Sequence, residues 1–175
     1  MYAAHFAAGL AIKGRAPKAP TWALLTGAFL PDFFWIGFAA IGLEPATSKV
    51  FFDDWSHSLV SVLVEATAFA LLFYRRGLTV WLPVWLAVIS HFLLDLPIHP
   101  KPIALYPHAA IHAPWDLWAW ATAKGFLGIT PYWWIQLAIV FVLLAIYAAG
   151  AKKSGISNNL VAATCISVLG LHLLI

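Results

Sequence analysis

The chain alternates long apolar stretches with short polar clusters, and the apolar stretches set the expected architecture. A helix that crosses a bilayer needs about 20 mostly apolar residues. Thr21–Leu43 is such a stretch, interrupted by "LPD" at residues 30–32. Ser58–Tyr74 is a second, on the short side. Leu78–Leu96 and Pro131–Ala149 are the third and fourth. Asn159–Ile175, again short, is the fifth. Ahead of them lies "YAAHFAAGLAI", Tyr2–Ile12. As a helix it is only about 16 Å long, so it is predicted to be half-inserted or re-entrant. "PWDLWAWATAKGFLGI", Pro114–Ile129, is predicted to lie in the interface, with Trp115, Trp118 and Trp120 at the headgroup level. The pattern therefore predicts an all-α, polytopic membrane protein. It would have about five transmembrane helices, a short N-terminal half-inserted helix and an interfacial helix. Residues 1–175 would form one integral-membrane domain. Residues 1–116 would bear the polar site, and 131–175 would supply two C-terminal spans.

Composition strengthens this reading. Hydrophobic residues make up 63% of the 175-residue chain and charged residues only 10%, against about 25% charged in ordinary globular chains. The net charge is +3 and the basic residues are scattered, so no nucleic-acid-binding patch is expected. The single cysteine, Cys165, excludes an intramolecular disulfide and a cysteine metal cluster. Lying in an apolar run, it reads as a packing residue. The basic residues near the N-terminus follow the first apolar stretch instead of preceding it, so no cleavable signal peptide is expected.

The basic residues also orient the chain. Lys13, Arg15 and Lys18, then Arg75 and Arg76, then Lys152 and Lys153 fall in alternate connections, so threading places all three clusters on one side. The positive-inside rule makes that side cytoplasmic. Glu44–His57 and Pro97–Thr130 then face outward. The expected location is the bacterial inner membrane, with these connections on the periplasmic side.

Against that topology, His5, Asp32, His57, His91 and Asp95 all fall in the outer half of the membrane or at its rim. The hydrophobic pattern does not require this. His91 and Asp95, at i and i+4, share a helix face, and Pro97 ends the helix just beyond them. Asp32 follows Pro31, and proline loosens a span locally. A charge at the bilayer centre costs at least ~2.5 kcal/mol, so Asp32 is expected to be paired or functional. Singly, a membrane histidine is often a hydrogen-bonded packing residue, and Asp95 could serve as a solvated cap. Together, imidazole and carboxylate groups from several helices are the nitrogen and oxygen donors of a zinc-type shell. Glu65, mid-span in "LVEATAFA", is left outside this set.

The early His5, the "LPD" of residues 30–32, the "SHS" of 56–58 and the "SHFLLD" of 90–95 resemble the YdjM-like family of bacterial inner-membrane proteins, described as metal-dependent hydrolases. The resemblance covers about residues 1–107. Where that family has His-Arg-Gly before its Thr-His-Ser, this chain has "DDW" before "SHS". The order is also similar to the zinc-dependent phospholipase C and nuclease fold, which holds its ions with an early His, an Asp, a His and a His-x-x-x-Asp. His5, Asp32, His57, His91 and Asp95 match that part. His112 and Asp116 match a second His-x-x-x-acid, with His99 or His108 accompanying them.

The resemblance implies a metal-dependent hydrolase holding one to three zinc ions, or another divalent metal. Such ions lower the pKa of a bound water and stabilise charge on a phosphoryl oxygen. Asp32 and Asp95 would be the catalytic carboxylates, either bridging ions or, for Asp32, orienting the attacking water. The expected substrate is the phosphoester of a phospholipid or lipid-linked phosphate, reached at the outer interface. Trp55, Trp115 and Trp118 would flank the entrance, and Lys101 would attract the phosphate. The alternative is a non-catalytic membrane scaffold with a structural metal or polar cluster, docked to a membrane-protein partner. A transporter is a third reading, set back by the lack of an inverted repeat and by polar groups gathered on one side.

Overall fold

A computed structural model describes residues 2–45, 52–114 and 117–174. These residues form helices α1 (Tyr2–Arg15), α2 (Thr21–Ala28), α3 (Leu30–Ala40), α4 (Asp54–His57), α5 (Leu59–Leu71), α6 (Leu78–Asp95), α7 (Trp118–Thr122), α8 (Pro131–Lys153) and α9 (Asn158–Leu174), with short 3-10 turns at Tyr74–Arg76 and Phe126–Gly128. The described residues contain no strand, only an isolated bridge between Ala104 and His112.

Helix α1 occupies the middle of the bundle. Ala3, Ala4, Ala7, Ala8, Gly9 and Ala11 are buried along it, and it packs on α8, α2, α6 and α9. Small side chains are what let helices approach closely when lipid, not water, surrounds them. The closest approach is at Gly14 and Gly150, where a methyl group on Gly150 would overlap the Gly14 backbone. With Arg15 included, α1 is about 21 Å long, three residues longer than the stretch expected from hydropathy. It is walled in by its neighbours, not laid along the bundle's edge.

The outward faces are the reverse of a water-soluble core. Val64, Leu86, Phe141, Val142 and Ile166 are exposed large apolar residues on α5, α6, α8 and α9. By length and composition α6 and α8 can each cross a membrane, and α2 with α3 makes a third if the bent pair is one span. Helices α5 and α9 are apolar but shorter. Five spans were expected; length alone supports two or three.

The break between α2 and α3 has a local cause. Pro31, in the first turn of α3, has no N–H to continue the α2 hydrogen-bond ladder. The two helices bend by 54°. The break places Asp32 in the first turn of α3, where the helix dipole favours a carboxylate. Thr130 caps α8 with its hydroxyl on the Trp133 N–H, and Pro131 follows at the first helical position. The interfacial helix expected over Pro114–Ile129 is not continuous among the described residues. They form α7 and a 3-10 turn over Phe126–Gly128, separated where the chain extends at Ala123.

Helices α1 and α6 are antiparallel: His5, near the start of α1, meets Asp95 at the end of α6. Arg15 at the other end of α1 lines a cavity with Leu78, at the start of α6. Lys153, at the end of α8, lines another cavity with Arg15. The three basic clusters therefore share one end of the bundle, opposite the histidine and carboxylate groups.

Candidate metal centre

At that opposite end the structure brings together His5 from α1, Asp32 from α3, His57 from α4 and His91 and Asp95 from α6. His99, on the turn after α6, joins them. Three overlapping sets have donor atoms close enough to hold one ion: His5, His91 and Asp95; Asp32, His57 and His91; and His57, Asp95 and His99.

The i,i+4 spacing on α6 carries the core. His91 Nε2 lies 3.2 Å from Asp95 Oδ2, and His5 Nε2 lies 3.3 Å from Asp95 Oδ1. The His5 and His91 rings stack, with centroids 4.0 Å apart, and Phe29 closes the edge of His5 at 5.7 Å. Asp95 is the last residue of α6, where a helix dipole disfavours a buried carboxylate. Hydrogen bonds and positive charge from the neighbouring histidines offset that placement.

Backbone carbonyls and Glu44 set the proton positions of the cluster. His91 Nδ1 lies 2.8 Å from the Ala28 carbonyl at the end of α2. A carbonyl only accepts, so Nδ1 carries the proton and Nε2 of the neutral ring is a bare lone pair. His99 Nδ1, 3.0 Å from the Lys101 carbonyl, is fixed the same way. His57 is set by a longer relay. Ser56 Oγ donates to Glu44 Oε2 at 2.8 Å, and the Ser56 N–H donates to Glu44 Oε1 at 2.9 Å. With its one proton so placed, Ser56 Oγ accepts from His57 Nδ1 at 2.7 Å. The Nε2 atoms of His57 and His91, which carry the lone pairs when both rings are neutral, face each other across 3.3 Å. Asp32 Oδ1 lies 3.6 and 3.9 Å from them. Imidazole nitrogens and carboxylate oxygens converge on a small volume, and their donor atoms lie close enough together to hold a metal ion.

Burial pushes the Glu44 carboxyl up from its usual range, opposed by its hydrogen bonds from Ser56. Burial also pulls the His99 imidazole down, opposed by Asp53 and Asp95. His99 therefore stays neutral, and able to ligate, at a pH where an exposed histidine would be charged.

A cavity of about 240 Å³ opens onto the cluster. Asp32, Asp53, His57, Asp95 and His99 form its polar wall, and Tyr2, Trp35, Trp118 and Tyr132 its aromatic one. Asp32, with 21% of its side chain exposed, is more open to this space than Asp95, which at 8% lies deeper, between the histidines. Of the tryptophans expected at the entrance, Trp118 lines the cavity. Trp55 instead sets its ring edgewise against His108, and Trp115 lies outside the described residues.

Other sequence-based expectations fare differently. Lys101 is not free to attract a phosphate: its ammonium pairs with buried Asp54 and lies 3.5 Å from Asp53. Asp53 also faces His99 at 3.2 Å. Asp54 accepts the backbone N–H of His108 at 3.1 Å, which pins the loop after α6 onto α4. His112 is exposed, its Nδ1 directed at the Ala110 carbonyl, and belongs to none of the three sets. Asp116 lies outside the described residues. His108 is also apart, with a positive φ of 60° and its ring stacked on Phe52. Sequence reasoning missed Glu44, Ser56 and the Asp53–His99 contact; the only written signal was the "DDWSHS" run. It also passed over buried Gln136 and His172, the latter packed on Trp133 at 4.7 Å.

Among known proteins, no family model, no curated protein and no solved structure matches this chain.

Proposed function

We propose that the chain is a membrane-embedded, metal-dependent hydrolase that cleaves the phosphoester of a lipid or lipid-linked phosphate. The observation that carries the reading is the pair of Nε2 atoms of His57 and His91, 3.3 Å apart and backed by Asp32 and Asp95. Histidine nitrogens and carboxylate oxygens are the donor set zinc favours. The donors come from α1, α3, α4, α6 and the turn after it, so one to three ions fit without a new ligand. Ions bound there supply a water ionisable at neutral pH and positive charge for a phosphoryl oxygen.

The chain's own residues have separable parts in this reading. Asp95, His5 and His91 form the buried floor. Asp32 faces the cavity and is placed to orient the attacking water and take its proton. The aromatic wall of Tyr2, Trp35, Trp118 and Tyr132 packs the apolar portion of a substrate. Exposed apolar faces on α5, α6, α8 and α9 favour a bilayer as solvent, with α5 and α9 as shorter spans in a five-span arrangement. The basic end then faces the cytoplasm and the metal end the outer interface, in the inner membrane of a bacterium. The order of His5, Pro31–Asp32, His57 and His91–Asp95 agrees with the YdjM-like resemblance.

A structural metal is the second reading. It is favoured by the way the cluster ties α1, α3, α4 and α6 together. Purified protein with its native metal, assayed on phosphatidic acid and prenyl phosphates, separates the two. Release of phosphate, lost in Asp32→Asn, supports the hydrolase. Tightly held metal with no release from any lipid phosphoester favours the structural site.

A further inference from the structure

We infer that the basic end of the bundle holds a bound anionic phospholipid, in a site separate from the metal centre. It rests on the membrane reading above but not on the metal or the hydrolysis. Two cavities meet there and share Arg15 and Pro17. One, about 290 Å³, lies over the Gly14–Gly150 crossing and is lined by Arg15, Lys153 and Ser154. The other, about 440 Å³, is walled by Ala16, Leu78, Leu82 and Pro83 at the start of α6, with Lys18 at its rim. A cationic, hydroxyl-bearing space beside an apolar one matches an amphiphile with an anionic head and a hydrocarbon chain.

The cations of this end differ in what they touch. Lys13 donates to the carbonyls of Pro17 and Ala19 at 2.8 Å each, so it serves the turn after α1. Arg75 bonds the Tyr74 hydroxyl, and Arg76 lies over the Phe73 ring. Among the described residues, Arg15 and Lys153 have no hydrogen bond and no ion pair, and no carboxylate lines either cavity. The two cations are drawn to one end because α1 and α8 touch backbone to backbone beside them: a Cβ at Gly150 would strike Gly14. Basic pockets between membrane helices on the cytoplasmic side recognise anionic head groups, each cation contributing about 1 kcal/mol.

Native mass spectrometry of the full chain, released from detergent with equal amounts of phosphatidylglycerol and phosphatidylethanolamine, tests this. The expected result is retained phosphatidylglycerol in preference to phosphatidylethanolamine. Arg15→Gln or Lys153→Gln should lower that preference roughly fivefold, and the pair by roughly 25-fold. Thr79→Phe, which fills the apolar cavity and keeps every charge, should also release the lipid. Excess inorganic phosphate should not compete, because the apolar cavity holds the chain. Equal retention of both lipids by the wild type, or a preference untouched by Arg15→Gln/Lys153→Gln, would overturn the site. Displacement by phosphate alone would show a small-anion site in place of a lipid one. Metal content is read in the same spectra and should not change, so failure here leaves the metal centre standing.

Discussion

The two ends of α1 handle charge in opposite ways. At the His5 end, side chains are buried, share atoms and point lone pairs at one another. At the Arg15 end, the cations are exposed and the space between them is open. The difference follows from solvent access. An exposed ammonium or guanidinium keeps its water and needs no partner. Buried carboxylates and imidazoles have lost theirs and must find charge of the other sign inside the protein. The buried end therefore has to satisfy its groups by shared protons or a bound cation, and the exposed end offers a place for a ligand without requiring one. Four perturbations sharpen that contrast.

The largest effect is expected where the two ends are mechanically joined. Gly150→Leu drives a side chain into the Gly14 backbone and must separate α1 from α8. Overpacking of this kind costs about 1–3 kcal/mol and sometimes more. Cα-level overlap belongs at the upper end, so thermal unfolding followed by circular dichroism should show loss of a cooperative transition. Because α1 carries His5, the metal should be lost with it.

Next is Lys101→Met. It leaves Asp53 and Asp54, both buried, without their ammonium. Breaking a buried pair from one side costs about 3–5 kcal/mol, and denaturant unfolding should show a loss near the lower figure because Lys101 is partly exposed. The equivalent change at the open end, Lys153→Met, should leave the midpoint unmoved.

Ser56→Ala is smaller and more specific. It removes the relay that keeps the proton of His57 on Nδ1. Outer-shell changes of this type weaken metal binding by about 10–100-fold, measurable by competition with a chromophoric chelator. Glu44→Gln should act in the same direction, because its amide can donate to Ser56 Oγ and reverse the relay.

The smallest effect is in pH. The relay needs Glu44 ionised. As pH falls through its raised pKa, Glu44 gains a proton and donates it to Ser56 Oγ. Ser56 then turns its own proton to the Asp53 carbonyl, 3.2 Å away, or to His57 Nδ1 at 2.7 Å, and the closer partner removes the Nε2 lone pair from the cluster. Metal affinity should fall on acidification, beginning above the ordinary glutamate range. The part of that fall due to Glu44 should vanish in Ser56→Ala, which has no relay to reverse. An identical pH profile in both proteins would exclude the relay.

How much of this was written in the sequence depends on the range of the interaction. His91 and Asp95 are legible because helical periodicity fixes them on one face. Asp32 is legible because a carboxylate beside a proline in an apolar run needs a reason. His5 could be suspected but not placed: nothing in an Ala- and Gly-rich stretch says that it is the middle of the bundle. That emerges only when α8 packs on it through Gly150. Glu44 and Ser56 meet across a loop, with no periodic pattern to announce it. Lys101 read as a free cation, because its pairing with Asp54 spans 47 positions. Length and composition did not fix every element. The run Pro114–Ile129 has helical composition, but among its described residues the α-helix covers Trp118–Thr122 and ends where the chain extends at Ala123. The runs at α5 and α9 are apolar but shorter as helices than a full span.

The most direct measurement is elemental analysis of detergent-purified protein, wild type beside the His91→Ala/Asp95→Ala variant, with circular dichroism to show that both are helical. The expected result is one to three zinc or other divalent ions per chain in the wild type and none in the variant. A wild type that holds no metal after preparation free of chelators would contradict the metal centre and leave a proton-sharing cluster of buried histidines in its place.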